Sequence, residues 1–339
     1  MSIQSKLEQF HEKIKMSSSL KRELREKKGI LLEILRKDRN LPSFCELEQG
    51  SYAMHTGVKP EEDQEYDIDV ALRFSATKSE VEPLVYKENI CEILKNHTEY
   101  GAEIKKSCVT VTYSKEGEAK FHVDLVVYTY EDKNDKDSQL YIAKGIDKES
   151  QKWEKADPKG LLDYIGDQIE EENEREQFRR VVKYIKKWRN LKFTNTGHTS
   201  PPSIGITLIA LDNFKYCEDD DLSSLIHIVE AIVNKFNFVG WDGTRELYRI
   251  QWSLPTVLEF EAENDVFEKM TNIQMTDFKD KTEKFKRDLI SVQGEVDENI
   301  QYKKLNEIFG DDFEAPDEKT TAKQQQNYIP SSSVSGYEI

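Results

Sequence analysis

The chain is predicted to be an α+β protein of two lobes, a mixed sheet with helices on one side and a mostly helical second half. Short runs of strand formers with period-two alternation cluster before residue 131, at Asp67–Phe74, Val109–Tyr113 and Phe121–Tyr130. From residue 161 the period changes: Leu161, Leu162, Ile165, Ile169, Phe178, Val181, Val182, Ile185 and Trp188 recur at helical spacing. A length of 339 residues suffices for a sizeable core in each part. The expected divisions are bracing helices over 1–40, a core domain over 41–160, a helical lobe over 161–310 and a flexible tail over 311–339.

In chain order, residues 2–38 read as helix. Leu7, Phe10 and Ile14 form one apolar stripe, and Leu20, Leu24, Leu31 and Leu35 another. Ser17–Ser19 between them are natural caps. Asn40-Leu41-Pro42 breaks the helix, and Phe44–Leu47 enters as a strand. The acids Glu61, Glu62, Asp63 and Glu65 read as a solvated loop, although Glu65 shares strand parity with Asp67 and Asp69. Residues 80–97 form a helix with Leu84, Ile90 and Leu94 inward. The strands at 109–113 and 121–130 are joined by a turn at Gly117.

Residues 131–160 are charged and lysine-rich; Tyr141 and Trp153 read there as packing residues, with base stacking as the alternative. Asn190–Ser203 is a loop, and Ser203 caps the helix that follows. Residues 222–239 form an amphipathic helix, 240–243 a turn, 245–254 a short strand or loop, and 276–309 a long helix and a shorter one. From Asp311 the polar composition predicts a flexible tail. No internal repeat is present.

Composition narrows the function. Hydrophobic residues make up 37% and charged residues 34%, the balance of a soluble globular protein. No apolar run approaches the roughly 20 residues of a membrane span, and the N-terminus lacks a signal-peptide core. Cys45, Cys91, Cys108 and Cys217 have no metal-ligand spacing and fit a reducing cytoplasm. A net charge of −16 tilts the expected substrate away from long nucleic acid, which is held by basic faces, and toward free nucleotides.

The chemistry concentrates in residues 49–74. Gly50-Ser51 opens the stretch, and Asp67-Ile68-Asp69 closes it on a strand. Side chains two apart on a strand share a face, so the two carboxylates lie side by side and repel unless a cation stands between them. Asp124 is a lone acid in the apolar run Phe121–Tyr128, costly to bury unless it is paired or metal-bound. Three carboxylates from two neighbouring strands form the hard oxygen site that magnesium prefers. Such a site suits two-metal phosphoryl or nucleotidyl transfer.

Gly-Ser, then Asp-x-Asp, then a single later Asp resembles the DNA polymerase β-like nucleotidyltransferase superfamily. Within it the chain looks most like the bacterial cyclic-GMP-AMP-synthase/DncV-like nucleotidyltransferases of CBASS antiphage operons, over roughly residues 40 to 310. The resemblance implies a polymerase β-like core with its active site in the cleft against the helical lobe. Catalytic and metal roles fall on Asp67, Asp69 and Asp124, with two Mg2+ ions and Mn2+ as a substitute. It places the donor phosphates at Gly50 and Ser51; an ordinary helix cap is the plainer reading of Ser51. A family lysine two residues before an aromatic grips the triphosphate, which matches Lys186 before Trp188, with Lys183 and Lys187 as alternates on the same flank. The plainer reading of that basic run is a solvated face. Ser203 reaches the phosphates by the same resemblance.

The expected reaction converts ribonucleoside triphosphates, ATP among them, into a cyclic di- or trinucleotide messenger for a downstream effector. A regulatory or conjugating operon partner is also implied. Two other classes remain open on sequence. One is a template-independent RNA nucleotidyltransferase of the 2′-5′ oligoadenylate synthase, poly(A) or tRNA-end type, disfavoured by the acidic charge. The other is a catalytically silent nucleotide-binding scaffold, disfavoured by the intact triad.

Overall fold

A computed structural model describes residues 2–61, 66–115, 118–194, 196–255, 258 and 265–315. Two helices lead, α1 (Ile3–Ile14) and α2 (Ser18–Lys37), with the Ser17 hydroxyl accepting from the Leu20 amide as the cap of the second. Then come β1 (Phe44–Gln49), the single turn α3 (Gly50–Ala53), β2 (Tyr66–Thr77) and α4 (Pro83–Leu94). Strands β3 (Ala102–Ile104), β4 (Val109–Lys115), β5 (Glu118–Tyr130), β6 (Leu140–Lys144) and β7 (Lys152–Ala156) complete the sheet. Its order is β1-β2-β5-β4-β3, with β6 beside β5 and β7 beside β6. The sheet is mixed because β2 and β5 run parallel while the other pairs are antiparallel. The α+β expectation holds.

The pleat sorts the side chains. Ile68, Val70, Leu72 and Phe74 of β2 join Val123, Leu125 and Val127 of β5 in one core with α2 and α4. The opposite parity carries Asp67 and Asp69 on β2 and Asp124 on β5, so one face holds the sheet and the other is left for chemistry.

The second half contains α5 (Pro158–Asp167), α6 (Glu172–Lys192), a 3-10 turn at Thr196–His198, α7 (Ser203–Asp212) and α8 (Asp221–Asn234). It continues with the hairpin β8 (Asn237–Asp242) and β9 (Arg245–Arg249), then α9 (Asn272–Gln293) and α10 (Glu298–Phe309). Phe178, Val181, Val182 and Ile185 of α6 pack with Leu7, Phe10 and Ile14 of α1, and Trp188 stacks on Phe285 of α9 at 4.5 Å between centroids. The apolar stripe of α1 therefore belongs to the helical core and that of α2 to the sheet core.

One stretch left unassigned by the sequence gains two strands, and two expectations are corrected. The charged stretch 131–160 contains β6 and β7, with Leu140, Tyr141, Ile142, Ala143 and Ala156 buried. Residues 237–239 and 240–242 are strand rather than helix end and turn, because α8 stops at Asn234 and β8 pairs with β9. Residues 311–315 are not a loose tail: Phe313 is buried in the helical core, and Asp312 pairs with Lys187. Glu62, Asp63, Glu65, the Gly117 turn and residues 316–339 lie outside the described residues. No described helix is long and apolar enough to cross a membrane.

Candidate active site

Strand register builds the acidic cluster. Asp69 of β2 stands opposite Asp124 of β5, and Asp67 opposite His122. Asp67, Asp69 and Asp124 each offer a carboxylate oxygen, and these oxygens lie within 4.8 Å of one another. Burial, with the charges of Asp67 and Asp124 beside it, pushes the Asp69 carboxyl up to about 8. Burial likewise raises Asp124, opposed by the Thr110 hydroxyl, which donates to its Oδ1 at 2.6 Å. Three hard oxygen ligands, with Asp69 and Asp124 resisted in ionising by burial and by neighbouring carboxylates, fit a divalent cation, which would relieve that cost. Thr110 was not singled out in the sequence; the alternation of β4, which puts one of its faces toward the site, is the signal that could have found it.

Gly50 sits against this cluster. It has φ of +70°, a conformation open to glycine, and a Cβ built there would lie 1.9 Å from Asp69 Oδ2. Ser51 follows inside the one-turn α3. The capping position belongs to Gln49, which makes no side-chain cap bond, so Ser51 is not an N-cap. The Gln49 Oε1 instead accepts from the Tyr128 hydroxyl at 3.1 Å, tying the end of β1 to β5.

Helix α6 lies across the cleft and supplies the lysines. Lys186 is buried, and its ammonium donates to the Thr56 hydroxyl at 2.8 Å. Burial, reinforced by Arg189 and Lys183, pulls it down to about 7 against the attraction of Asp67. Lys183 is buried one turn earlier and pulled down to about 8 by burial and by Lys21 and Arg179. Lys187 is on a different errand: it pairs with Glu61 and Asp312 at 2.5 Å each, joining the segment before β2 to the end of the helical lobe.

Arg189 is a residue the sequence reading missed. Its guanidinium donates to the Pro201 carbonyl at 2.7 Å, just ahead of α7, and lies in the field of Asp67. Its place three residues after Lys186 on one helix flank was the available signal. At α7 the capping position falls on Pro202, with no side-chain cap bond, and Ser203 is the first helical residue rather than the cap. Nearby, the buried Ser200 hydroxyl has no hydrogen-bond partner among the described residues.

Residues 44–128, which span β1 to the middle of β5, match the family described as cyclic GMP-AMP synthase DncV-like, nucleotidyltransferase domain. A cyclic GMP-AMP synthase of Escherichia albertii is 28% identical over 224 residues, covering 62% of this chain and 47% of that protein. A c-di-GMP synthase of Roseivirga ehrenbergii is 24% identical over 214 residues, covering 55% and 52%. This chain thus spans about half the length of those curated relatives. Among solved structures, the CD-NTase CdnG of Bradyrhizobium diazoefficiens in complex with GTP superposes with a TM-score of 0.69. It is 12% identical, over 91% of this chain and 95% of that one, a likeness of fold. With its carboxylates on the two central strands and the Gly-Ser turn against them, the chain is similar, over residues 44–128, to the nucleotidyltransferase domain of the cyclic-GMP-AMP-synthase/DncV-like proteins.

Proposed function

We propose that the protein is a cyclic oligonucleotide synthase that joins ribonucleoside triphosphates, ATP among them, and releases pyrophosphate. The observation that carries this is the convergence of Asp67, Asp69 and Asp124 within 4.8 Å, beside the Gly50 turn and beneath a cationic helix. Asp67 and Asp69 would hold two Mg2+ ions, and Asp124 the one beside the acceptor hydroxyl. When bound, the ions lower the pKa of that hydroxyl and neutralise the leaving pyrophosphate.

The residues of this chain then have separate tasks. Thr110 fixes the Asp124 carboxylate. Ser51, Lys183 and Lys186 hold the donor triphosphate, and Ser203 faces it from the start of α7. Lys186 reaches it by exchanging its Thr56 contact for phosphate, which restores its proton. Lys187 has no part in this grip, because two carboxylates already hold it. Relatives named for cyclic GMP-AMP and c-di-GMP support a cyclic product. On this reading the product is a messenger in antiphage (CBASS) signalling, acting on a cyclic-nucleotide effector.

The test incubates the protein with four labelled ribonucleotides and Mg2+ or Mn2+, beside the double variant Asp67→Asn/Asp69→Asn. A phosphatase-resistant cyclic species made only by the wild type is expected. Linear products alone, or extension of added RNA, would overturn the cyclase reading.

A further inference from the structure

A cavity of about 700 Å³ opens between α1, the α3 turn and the N-terminal half of α6. Its lining is electrically lopsided. Among its cations, Lys15 is paired with Glu12 and Arg180 with Asp221. Lys21 and Arg179 are half-buried, and their side chains make no hydrogen bond or ion pair among the described residues. Lys183 is buried, and its hydrogen-bond partner is the Nε2 of His11 at 3.3 Å.

His11 gives Lys183 no counter-charge, since burial and Lys183 itself pull the imidazole down to about 4. Every charge that acts on Lys183 most strongly is positive: Lys21, Arg179, Lys15 and Arg180. The acids of the lining, Glu8, Glu12 and Glu176, are exposed, whereas the cations sit deeper. Buried, mutually repelling cations without carboxylate partners are costly unless an anion is drawn among them.

We propose that this cavity binds an oligophosphate, with Lys183, Arg179 and Lys21 as its charge partners. Arg179 and Lys183 are four residues apart on α6, so their side chains sit on neighbouring turns, about 5–6 Å apart at Cβ, a span that a chain of phosphates can bridge. Lys21 meets them from α2. Phosphate chains bring several charges into a small volume, and a guanidinium with two ammonium groups matches them. Ser51 also lines the cavity. The inference rests on the proposed donor site for Ser51 and Lys183 alone; Lys21, Arg179 and the α1 wall extend it. The ligand has two possible sources, the terminal phosphates of the donor or a separate oligophosphate.

The experiment titrates tripolyphosphate into the full chain in chelator, by calorimetry, with the variants Lys21→Met, Arg179→Met and both together. Wild type is expected to bind, each single variant to bind about 10-fold more weakly, and the salt dependence to flatten. Melting curves establish that each variant is folded. Unchanged affinity in the folded double variant, or no binding by wild type at millimolar ligand, would overturn the proposal.

Repeating the titration with a non-hydrolysable ATP analogue and Mg2+ separates the sources. Displacement means that the donor tail occupies the cavity; simultaneous binding means a separate oligophosphate. Pyrophosphate release by the wild type is measured alongside. A silent enzyme that still binds tripolyphosphate through Lys21 and Arg179 would sink the synthase reading and leave the cavity assignment standing.

Discussion

Gly50 and Asp69 are packed so closely that a Cβ on Gly50 would lie 1.9 Å from the Asp69 Oδ2. The residue that starts the Gly-Ser turn thus also sets where the central carboxylate can stand. Gly50→Ala combines a left-handed backbone, worth about 1–2 kcal/mol, with that collision. The expected result is a stability loss of about 2 kcal/mol or more in urea titration and a fall in pyrophosphate release of roughly 100-fold. Wild-type turnover by the variant would show that the contact does not position the cluster.

Asp69 carries the repulsion of its two neighbours, so relieving it should stabilise the metal-free protein. Asp69→Asn is expected to raise the melting temperature in chelator, with a gain of about 1–3 kcal/mol, and to abolish turnover. Saturating Mg2+ or Mn2+ should raise the wild-type midpoint, by about 2.7 kcal/mol at a hundredfold excess over Kd, and leave the variant where it was. An equal shift in both proteins would place the ion elsewhere.

Lys186 predicts a pH dependence. Its folded value of about 7 lies below the roughly 10.4 of an unfolded lysine, so between these values the unfolded chain binds more protons. Stability therefore rises with pH across that window and is lowest below its lower end. Lys186→Met should stabilise the protein at pH 6 by about 1–3 kcal/mol, flatten the slope between pH 7 and 10, and weaken nucleotide binding. Some slope persists from Lys183, which titrates near 8. Urea titrations at pH 6 and 9.5 measure it; an unaltered slope in the variant would mean Lys186 is charged in the folded state.

Asp221 is fully buried and accepts from Arg180 twice at 2.8 Å, from the Tyr184 hydroxyl at 3.0 Å and from Gln177 at 3.1 Å. Replacing it by alanine strands the Arg180 guanidinium and a buried hydroxyl. A loss of about 3–5 kcal/mol is expected in denaturant titration. A loss below about 1 kcal/mol would show that Arg180 finds water or another partner.

The carboxylate cluster was legible because strand parity and an out-of-place acid are local signals. Asp67 and Asp69 share a face by the pleat, and Asp124 stands out in an apolar run. The α1 and α2 stripes were legible for the same reason. What the sequence hid is set by tertiary partners. Lys183, Lys186 and Lys187 look alike along one helix flank, yet one borders a cavity, one bonds to Thr56, and one is held by two acids. Spacing alone does not distinguish these fates. Thr110 is known as the partner of Asp124 only once β4 is paired with β5, where the two residues stand opposite. Strand β7 was obscured because its lysines and glutamate outweigh a single buried residue, and β6 because it is a short buried run with no alternation, set in a charged stretch.

Phe10 of α1 packs against Phe309 of α10 at 4.8 Å and against Phe313 at 5.5 Å between ring centroids. The α1 stripe thus takes partners from α6 and also from residues some 300 positions later. Closing so long a loop is slow, and until it closes Leu7, Phe10 and Ile14 have no complete core to enter. The sheet and α2 can assemble meanwhile from contacts nearer in the chain. The sheet core is therefore the more local of the two, and the core that buries α1 is the one whose completion depends on the most distant contacts.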